Sequence, residues 1–321
     1  MRRLLLALCL ASAAPAAADT LLVGNKAENT VSFIDLVAGK ERARLPTGPM
    51  PHEIAISPDG RTAAVVAYGA KQIDLYDIAS AKHLRAIDLG DNRRPHGIAW
   101  LKSGGIVATT EGSATLSLVD PASGKVESVA TGAKGSHMVV VTPDERRAFV
   151  ANLGSGNITA IDLEKRDKIA DLSAGLEPEG IALTPDGREL WVSNRGDDTV
   201  MLFDTQSLER LATIPVGDMP IRLQISPDGR TAVTSNHLDG GLTLIDVKTR
   251  KPIRNIKVSG DPKAMQVTIM FSGDGKRLYV AETGKSRIVE IDLKAGKPVR
   301  TLPAGEGADG LGYSAIGVKA P

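Results

Sequence analysis

The sequence predicts an all-β fold: a seven-bladed β-propeller built of four-stranded antiparallel blades. Three observations carry this expectation. Short apolar runs alternate with turn residues, the alternation repeats about every 42 residues, and the two anchors of the repeat occur in unequal numbers. The stretch Gly175–Asp204 shows the unit. Gly180–Leu183 is apolar and leads into the turn Thr184-Pro185-Asp186-Gly187. Glu189–Val192 follows, then a polar break at Ser193–Asp198, then Thr199–Phe203 closed by Asp204. Runs this short, divided by Pro-Asp-Gly and Asn/Gly/Asp clusters, read as antiparallel strands.

The turn aspartate recurs at Asp59, Asp144, Asp186, Asp228 and Asp274, the last four at steps of 42, 42 and 46 residues. Asp59 and Asp144 lie two steps apart, and Leu101-Lys102-Ser103-Gly104 stands between them as a degenerate copy. A second anchor, two apolar residues and an aspartate, ends at Asp35, Asp77, Asp120, Asp162, Asp204, Asp246 and Asp292. That gives seven third strands against six turns. A period near forty with four strands per unit is the mark of a propeller. The surplus third strand implies a chain that enters in mid-blade. Leu21–Gly24 would be a second strand, and the missing first strand would come from Gly310–Ile316. Such sharing of one blade by both chain ends leaves no open sheet edge.

The elements follow in order. Residues 20–48 supply three strands of the closing blade. Blades then start near Pro51, Pro95, Ser136, Pro178, Pro220 and Pro262. The inner strands are expected at Glu53–Ser57, Gly97–Leu101, Met138–Thr142, Gly180–Thr184 and Arg222–Ser226. Their apolar runs suit burial on both faces. The outer strands, such as Arg85–Leu89, Lys168–Leu172 and Arg254–Val258, are more polar, as an edge requires. The sixth blade carries about four extra residues within Pro262–Ser272.

Residues 1–18 join Met1-Arg2-Arg3 to an apolar run, Leu4–Ala11, and end Ala16-Ala17-Ala18, the pattern of a secretory signal peptide cut before Asp19. The expected domains are therefore a leader, 1–18, and one propeller, 19–321, exported to the periplasm or secreted. The single cysteine, Cys9, would leave with the leader, so neither a disulfide nor thiol chemistry is expected. Leu8 before it does not suit a lipoprotein site. Without the leader the chain has 37 Lys+Arg against 38 Asp+Glu. No basic patch marks it for nucleic acid, and no later apolar run is long enough to span a membrane. Ten aromatic residues are few for a polysaccharide surface.

Propeller topology brings the connections into the inner strands, and the loops after the second strands, to one face around the channel mouth. Counting five residues back from the Ser/Thr of each turn gives His52, His137, Glu179 and Ile221. Pro95-His96-Gly97-Ile98 aligns with Pro51-His52-Glu53-Ile54 and adds His96. Three of five histidines thus share one position. Imidazoles and a carboxylate meeting at a channel mouth suit a divalent metal, or acid/base work on a ligand. The alternative is structural: the histidines cap strands or bond a neighbouring blade.

His237 follows a second strand on the same face, as a separate ligand contact or a loop residue. His83 is expected between third and fourth strands on the opposite face, in solvent. Asn25, Asn152, Asn194 and Asn236 recur after second strands, where asparagine commonly bonds its own loop. Lys26, Arg195, Arg222 and Lys263 add positive charge able to receive a carboxylate or phosphate. No serine-hydrolase elbow, phosphate loop, zinc-protease motif or haem-attachment motif occurs.

Leu190-Trp191-Val192-Ser193-Asn194, Leu278-Tyr279-Val280-Ala281-Glu282 and Ala148-Phe149-Val150-Ala151-Asn152 resemble the Tyr-Val-Thr-Asn motif of the YVTN β-propeller repeats. The likeness covers essentially all of residues 19–321. It implies the propeller fold. For function it implies a range: periplasmic propellers, propellers associated with quinoprotein dehydrogenases, and lactonase-type enzymes. No family catalytic set maps onto these residues. The leading expectation is a binding or scaffold protein holding a small molecule, metal or partner protein at the mouth. A metal-assisted lactone hydrolase or lyase using His52, His96, His137 and Glu179 is the second. A propeller that serves a redox system through protein contacts alone is the third.

Overall fold

The computed structural model describes residues 19–319; the expected leader, with Arg2, Arg3 and Cys9, lies outside the described residues. Twenty-eight strands form seven four-stranded antiparallel sheets. Blades 1 to 6 begin at Pro51, Pro95, Ser136, Pro178, Pro220 and Gln266. Blade 7 takes its inner strand, Ala308–Ser314, from the C-terminal end, and Thr20–Asn25, Thr30–Asp35 and Lys40–Pro46 from the N-terminal end. The closure is the one the unequal anchors required. Tyr313 and Asp19 are hydrogen-bonded across it, and Thr20 Oγ1 donates to Ile316 O at 2.7 Å.

The core is divided among the gaps between blades. Seven apolar clusters each draw on two neighbouring sheets, for example Val233, Leu244 and Ile256 of blade 5 with Ile269, Leu278 and Ile291 of blade 6. Burial on both faces explains why the first three strands of each blade read as nearly continuous apolar runs. The fourth strands alternate: Leu84, Ile169, Leu211, Ile253 and Val299 are exposed, while Ile87, Leu172, Ile214, Ile256 and Leu302 point inward.

The repeated aspartates hold the hairpins. In each recognisable turn between first and second strands, the Ser/Thr hydroxyl donates to the aspartate two residues on, from Ser57 to Asp59 (2.6 Å) through Ser272 to Asp274 (2.7 Å). The same carboxylate accepts from the backbone N–H two residues further, at 3.1 Å in every case. The third-strand aspartates accept backbone N–H groups of the next turn, as Asp35 does from Ala38 and Asp292 from Ala295. These are Asx turns, and they explain the period of the sequence.

Three expectations are corrected. The inner strands begin two residues earlier than expected, at Pro51 rather than Glu53 and equivalently elsewhere, because the Pro-x-x segment still pairs with the second strand. Blade 6 begins at Gln266 rather than near Pro262, because its extra residues precede the inner strand: Pro262–Ala264 forms a 3-10 turn and Met265 takes φ 52°. His83 lies within the fourth strand Lys82–Asp88 rather than between strands; it is exposed, as expected, and contacts Asp74 at 3.3 Å.

Candidate functional site

Every inner strand carries a β-bulge at the same place. Pro51 faces Ala67, yet Ile54 faces Val65, so His52 and Glu53 together oppose one residue. The shift recurs in the other six blades, down to Ala308 and Leu311 of blade 7. A bulge breaks the two-residue alternation and re-aims side chains. That is how neighbours in sequence, His52 and Glu53, both serve one site. Glycines let the inner strands approach: a Cβ on Gly310 would meet His52 O at 1.6 Å, and one on Gly180 would meet Leu223 N at 2.6 Å. Any side chain there would push blades apart.

The second residues of the inner strands are His52, His96, His137, Glu179, Ile221, Val267 and Asp309. The three imidazoles form a buried column. Ring centroids are 4.1 Å apart between His52 and His96, and 3.6 Å between His96 and His137. Tyr68 meets His52 and His96 edge-on, at 5.2 and 5.6 Å, with Arg94 over its ring at 4.6 Å.

Ion pairs across the channel surround the column. Arg222 donates Nη1 to Glu179 at 2.8 Å and Nη2 to Glu53 at 2.6 Å, tying blade 5 to blades 4 and 1. Arg195 donates to the other oxygen of Glu179 at 2.7 Å. Lys26 donates to Asp309 at 3.2 Å. Glu111 bonds His137 Nδ1 and accepts from Tyr68 at 2.6 Å.

Electrostatics separates the histidines. Burial pushes His52 down to about 4 despite Asp309 nearby, and pushes His96 well below the usual range, where its neighbouring imidazoles act in the same direction. Both are neutral at neutral pH. Burial also opposes charge on His137, but the Glu111 hydrogen bond and Glu179 raise its pKa above the ordinary value. Burial alone would raise Glu179; His137, Arg222 and Arg195 instead hold it well below the carboxylate range. Burial and Glu111 push Tyr68 up to about 12.

Three ring nitrogens of the column are buried without a hydrogen-bond partner: His52 Nδ1, His96 Nδ1 and His137 Nε2. Asp309 and Glu179 stand 3.4 Å from the first and third, close enough for charge attraction but outside hydrogen-bonding geometry. Buried polar atoms are ordinarily paired, so three unpaired nitrogens in one column mark a place built to meet something else. The space below, lined by Glu53, Met138, Arg222 and Gln224, measures about 320 Å³. A larger cavity of about 720 Å³ lies at the degenerate turn Leu101–Gly105, on the other face. It holds no comparable unpaired nitrogens, and the histidine column is the better candidate.

The structure thus gathers His52, His96, His137, Glu179, Arg195 and Arg222. The four donors expected to share a metal do not form one group. Donor atoms within 4.8 Å of one another fall into two sets that share His96: His52, Glu53 and His96, and His96, Glu111 and His137. Glu179 is in neither, and both its oxygens are engaged by arginines. Asn194 is not at the hub. Its amide accepts from Gly175 N at 3.1 Å and donates to Thr199 at 3.1 Å, a latch between blade connection and loop. His237 bonds Gln266 O at 3.1 Å and stays out of the column. Lys263 is exposed. Asp309, Glu53, Glu111 and Tyr68 were not singled out as site residues from sequence. Asp309 had a readable signal: it is the closing-blade counterpart of His52, but that blade lacks the turn from which positions are counted.

Comparison with known proteins gives the following. Residues 170–252 match the family model "Lactonase, 7-bladed beta-propeller". No curated protein matches the chain in sequence. Among solved structures, Kuenenia stuttgartiensis hydrazine synthase is similar at 18% identity and TM-score 0.71, over 80% of this chain and 87% of that one. A functionally unknown protein from Desulfotomaculum acetoxidans aligns at 12% identity and TM-score 0.78, over 94% and 99%. The dihydro-heme d1 dehydrogenase NirN, in complex with DHE, aligns at 20% identity and TM-score 0.67, over 91% of this chain and 64% of that one. These likenesses establish the fold: the chain is a seven-bladed β-propeller, and part of it matches a lactonase propeller model.

Proposed function

We propose that this protein is an exported propeller of the YVTN type that binds a small polar ligand at the histidine hub. The observation that carries the reading is the set of unpaired, buried imidazole nitrogens in a column that is otherwise fixed by ion pairs. A purely structural cluster would be expected to satisfy its own polar atoms. The charged groups are paired with one another, while His52 and His96 remain neutral donors or acceptors. Such a hub orients a small molecule by hydrogen bonds and does not depend on net charge. The similar NirN structure was solved with DHE, which agrees with ligand binding by proteins that contain this fold but does not fix the ligand here.

The test is a thermal-shift panel of lactones and small organic acids on metal-free protein. A ligand should raise the melting temperature of the natural chain and leave His96→Leu unmoved. If no compound moves the natural chain, the hub is not a small-molecule site. A second reading, lactone hydrolysis, is favoured by the family-model match, whose span includes Glu179, Arg195 and Arg222. Turnover of a lactone in the same panel, lost in Arg222→Lys, would select it over simple binding.

A further inference from the structure

We propose that the hub holds one divalent transition-metal ion on His52, Glu53 and His96, and that Glu111 and His137 are not ligands to it. The proposal rests on the binding-hub reading above and deepens it.

Two sets of donors compete for the role, and their existing bonds separate them. In the set of His96, Glu111 and His137, the carboxylate is spent: one oxygen bonds His137 and the other accepts from Tyr68. His137 in turn uses Nδ1 on Glu111, which closes the chain Tyr68–Glu111–His137 and leaves only Nε2 unbonded. A cation there would have to break a closed chain of hydrogen bonds. In the set of His52, Glu53 and His96, Glu53 gives only Oε1 to Arg222, which leaves Oε2 free. Nδ1 of both His52 and His96 has no hydrogen-bond partner, and Asp309 stands 3.4 Å from the first without bonding it. The three residues are 6%, 7% and 1% exposed, so water does not compensate these atoms.

One ring nitrogen of each histidine and one oxygen of Glu53 lie within 4.8 Å of one another. Ligands about 2.0–2.2 Å from one ion stand roughly 3–4 Å apart, so side-chain shifts of under about an ångström would close the site. Two imidazoles and one carboxylate suit zinc, copper, nickel, cobalt or iron in the divalent state, and do not suit calcium or magnesium, which take oxygen ligands. Three protein donors leave coordination positions open for a second ligand. Arg222 then has a defined part: through its bonds to Glu53 and Glu179 it orients the carboxylate ligand and fixes its lone pairs.

The experiment uses the purified chain from Asp19 onward after removal of metal with a chelator. Calorimetric titration with Cu²⁺ and with Zn²⁺ should show one ion bound per chain. Electron paramagnetic resonance of the Cu²⁺ form should show coupling to two nitrogens. His52→Leu and Glu53→Gln should each weaken binding at least tenfold, and His137→Gln should leave it within about threefold. Circular dichroism checks that each variant is folded; if a variant is not, the nitrogen count on the natural chain still decides. Absence of any stoichiometric ion overturns the proposal. So does binding that survives His52→Leu and is lost in His137→Gln, which would place the ion in the other set. An organic ligand that shifts the melting temperature of metal-free protein while no ion binds would refute the metal and keep the binding hub.

Discussion

The two faces of the propeller solve the same problem, that of satisfying polar groups, in opposite ways. On the turn face each carboxylate is served by a hydroxyl two residues before it and an N–H two residues after it, and the same unit recurs in five blades. At the channel mouth the carboxylates are served by partners distant in sequence, Glu53 and Glu179 from another blade: Glu53 by a residue 169 positions away, Glu179 by one 43 positions away. The local solution is complete and repeated. The long-range one is unique and incomplete, with three imidazole nitrogens and Arg222 Nε left unpaired. Repetition marks what the fold needs, and the incomplete part marks what a ligand is to finish.

The largest expected effect that sharpens this contrast is at Arg222. Arg222→Leu strips the buried Glu53 of its partner and Glu179 of one of its two arginines, and removal of one member of such a network costs about 3–5 kcal/mol. Denaturant unfolding should show that loss. A loss below about 1 kcal/mol would mean that the ion pairs are incidental.

The pH response comes next. His52 is held at about 4 when folded and has an ordinary value of 6.5 when unfolded. Between those values the unfolded chain takes up a proton that the folded chain refuses. The contribution is therefore complete above pH 6.5 and declines as the pH falls toward 4, by about 3 kcal/mol in total. Of the groups facing it, Asp309 is held below the ordinary carboxylate value and Arg222 above its own, so both keep their charge through most of that window; Glu53 and Lys26 also face it. His137 runs the other way, since its raised value favours the folded state at lower pH. Stability measured from pH 7 to pH 4 should fall, and His52→Leu should flatten the fall.

The turn face should respond least. Asp186→Ala removes hydrogen bonds from Thr184 and from the Arg188 N–H, at a cost of about 1 kcal/mol, with no change in ligand or metal binding. A cost comparable to that of Arg222→Leu would erase the distinction between the faces.

The same contrast explains what could be read from the sequence. The turn aspartates and third-strand aspartates act within a few residues, so their period showed the blades, the closure and the register that aligned His52, His96, His137 and Glu179. Glu53 and Asp309 were not legible in the same way. Glu53 joins the site only because a bulge re-aims it, and Asp309 sits in a blade without the reference turn. Which donors are free is not in the pattern at all. It depends on Arg222 reaching across the channel and on Tyr68 and Glu111 closing their own chain of bonds. Asn194 bonds its own loop and the blade connection, as asparagine after a second strand commonly does, although a loop latch and a ligand contact look alike in sequence.

The central claim, that the imidazole column exists for binding and not for stability, is tested most directly by the unfolding free energy of metal-free His96→Leu. Removal of a buried, unpaired nitrogen in favour of an apolar side chain should leave stability within about 1 kcal/mol of the natural chain, or raise it. A loss of more than about 2 kcal/mol, with the fold otherwise intact, would show that the column is a structural brace and contradict the claim.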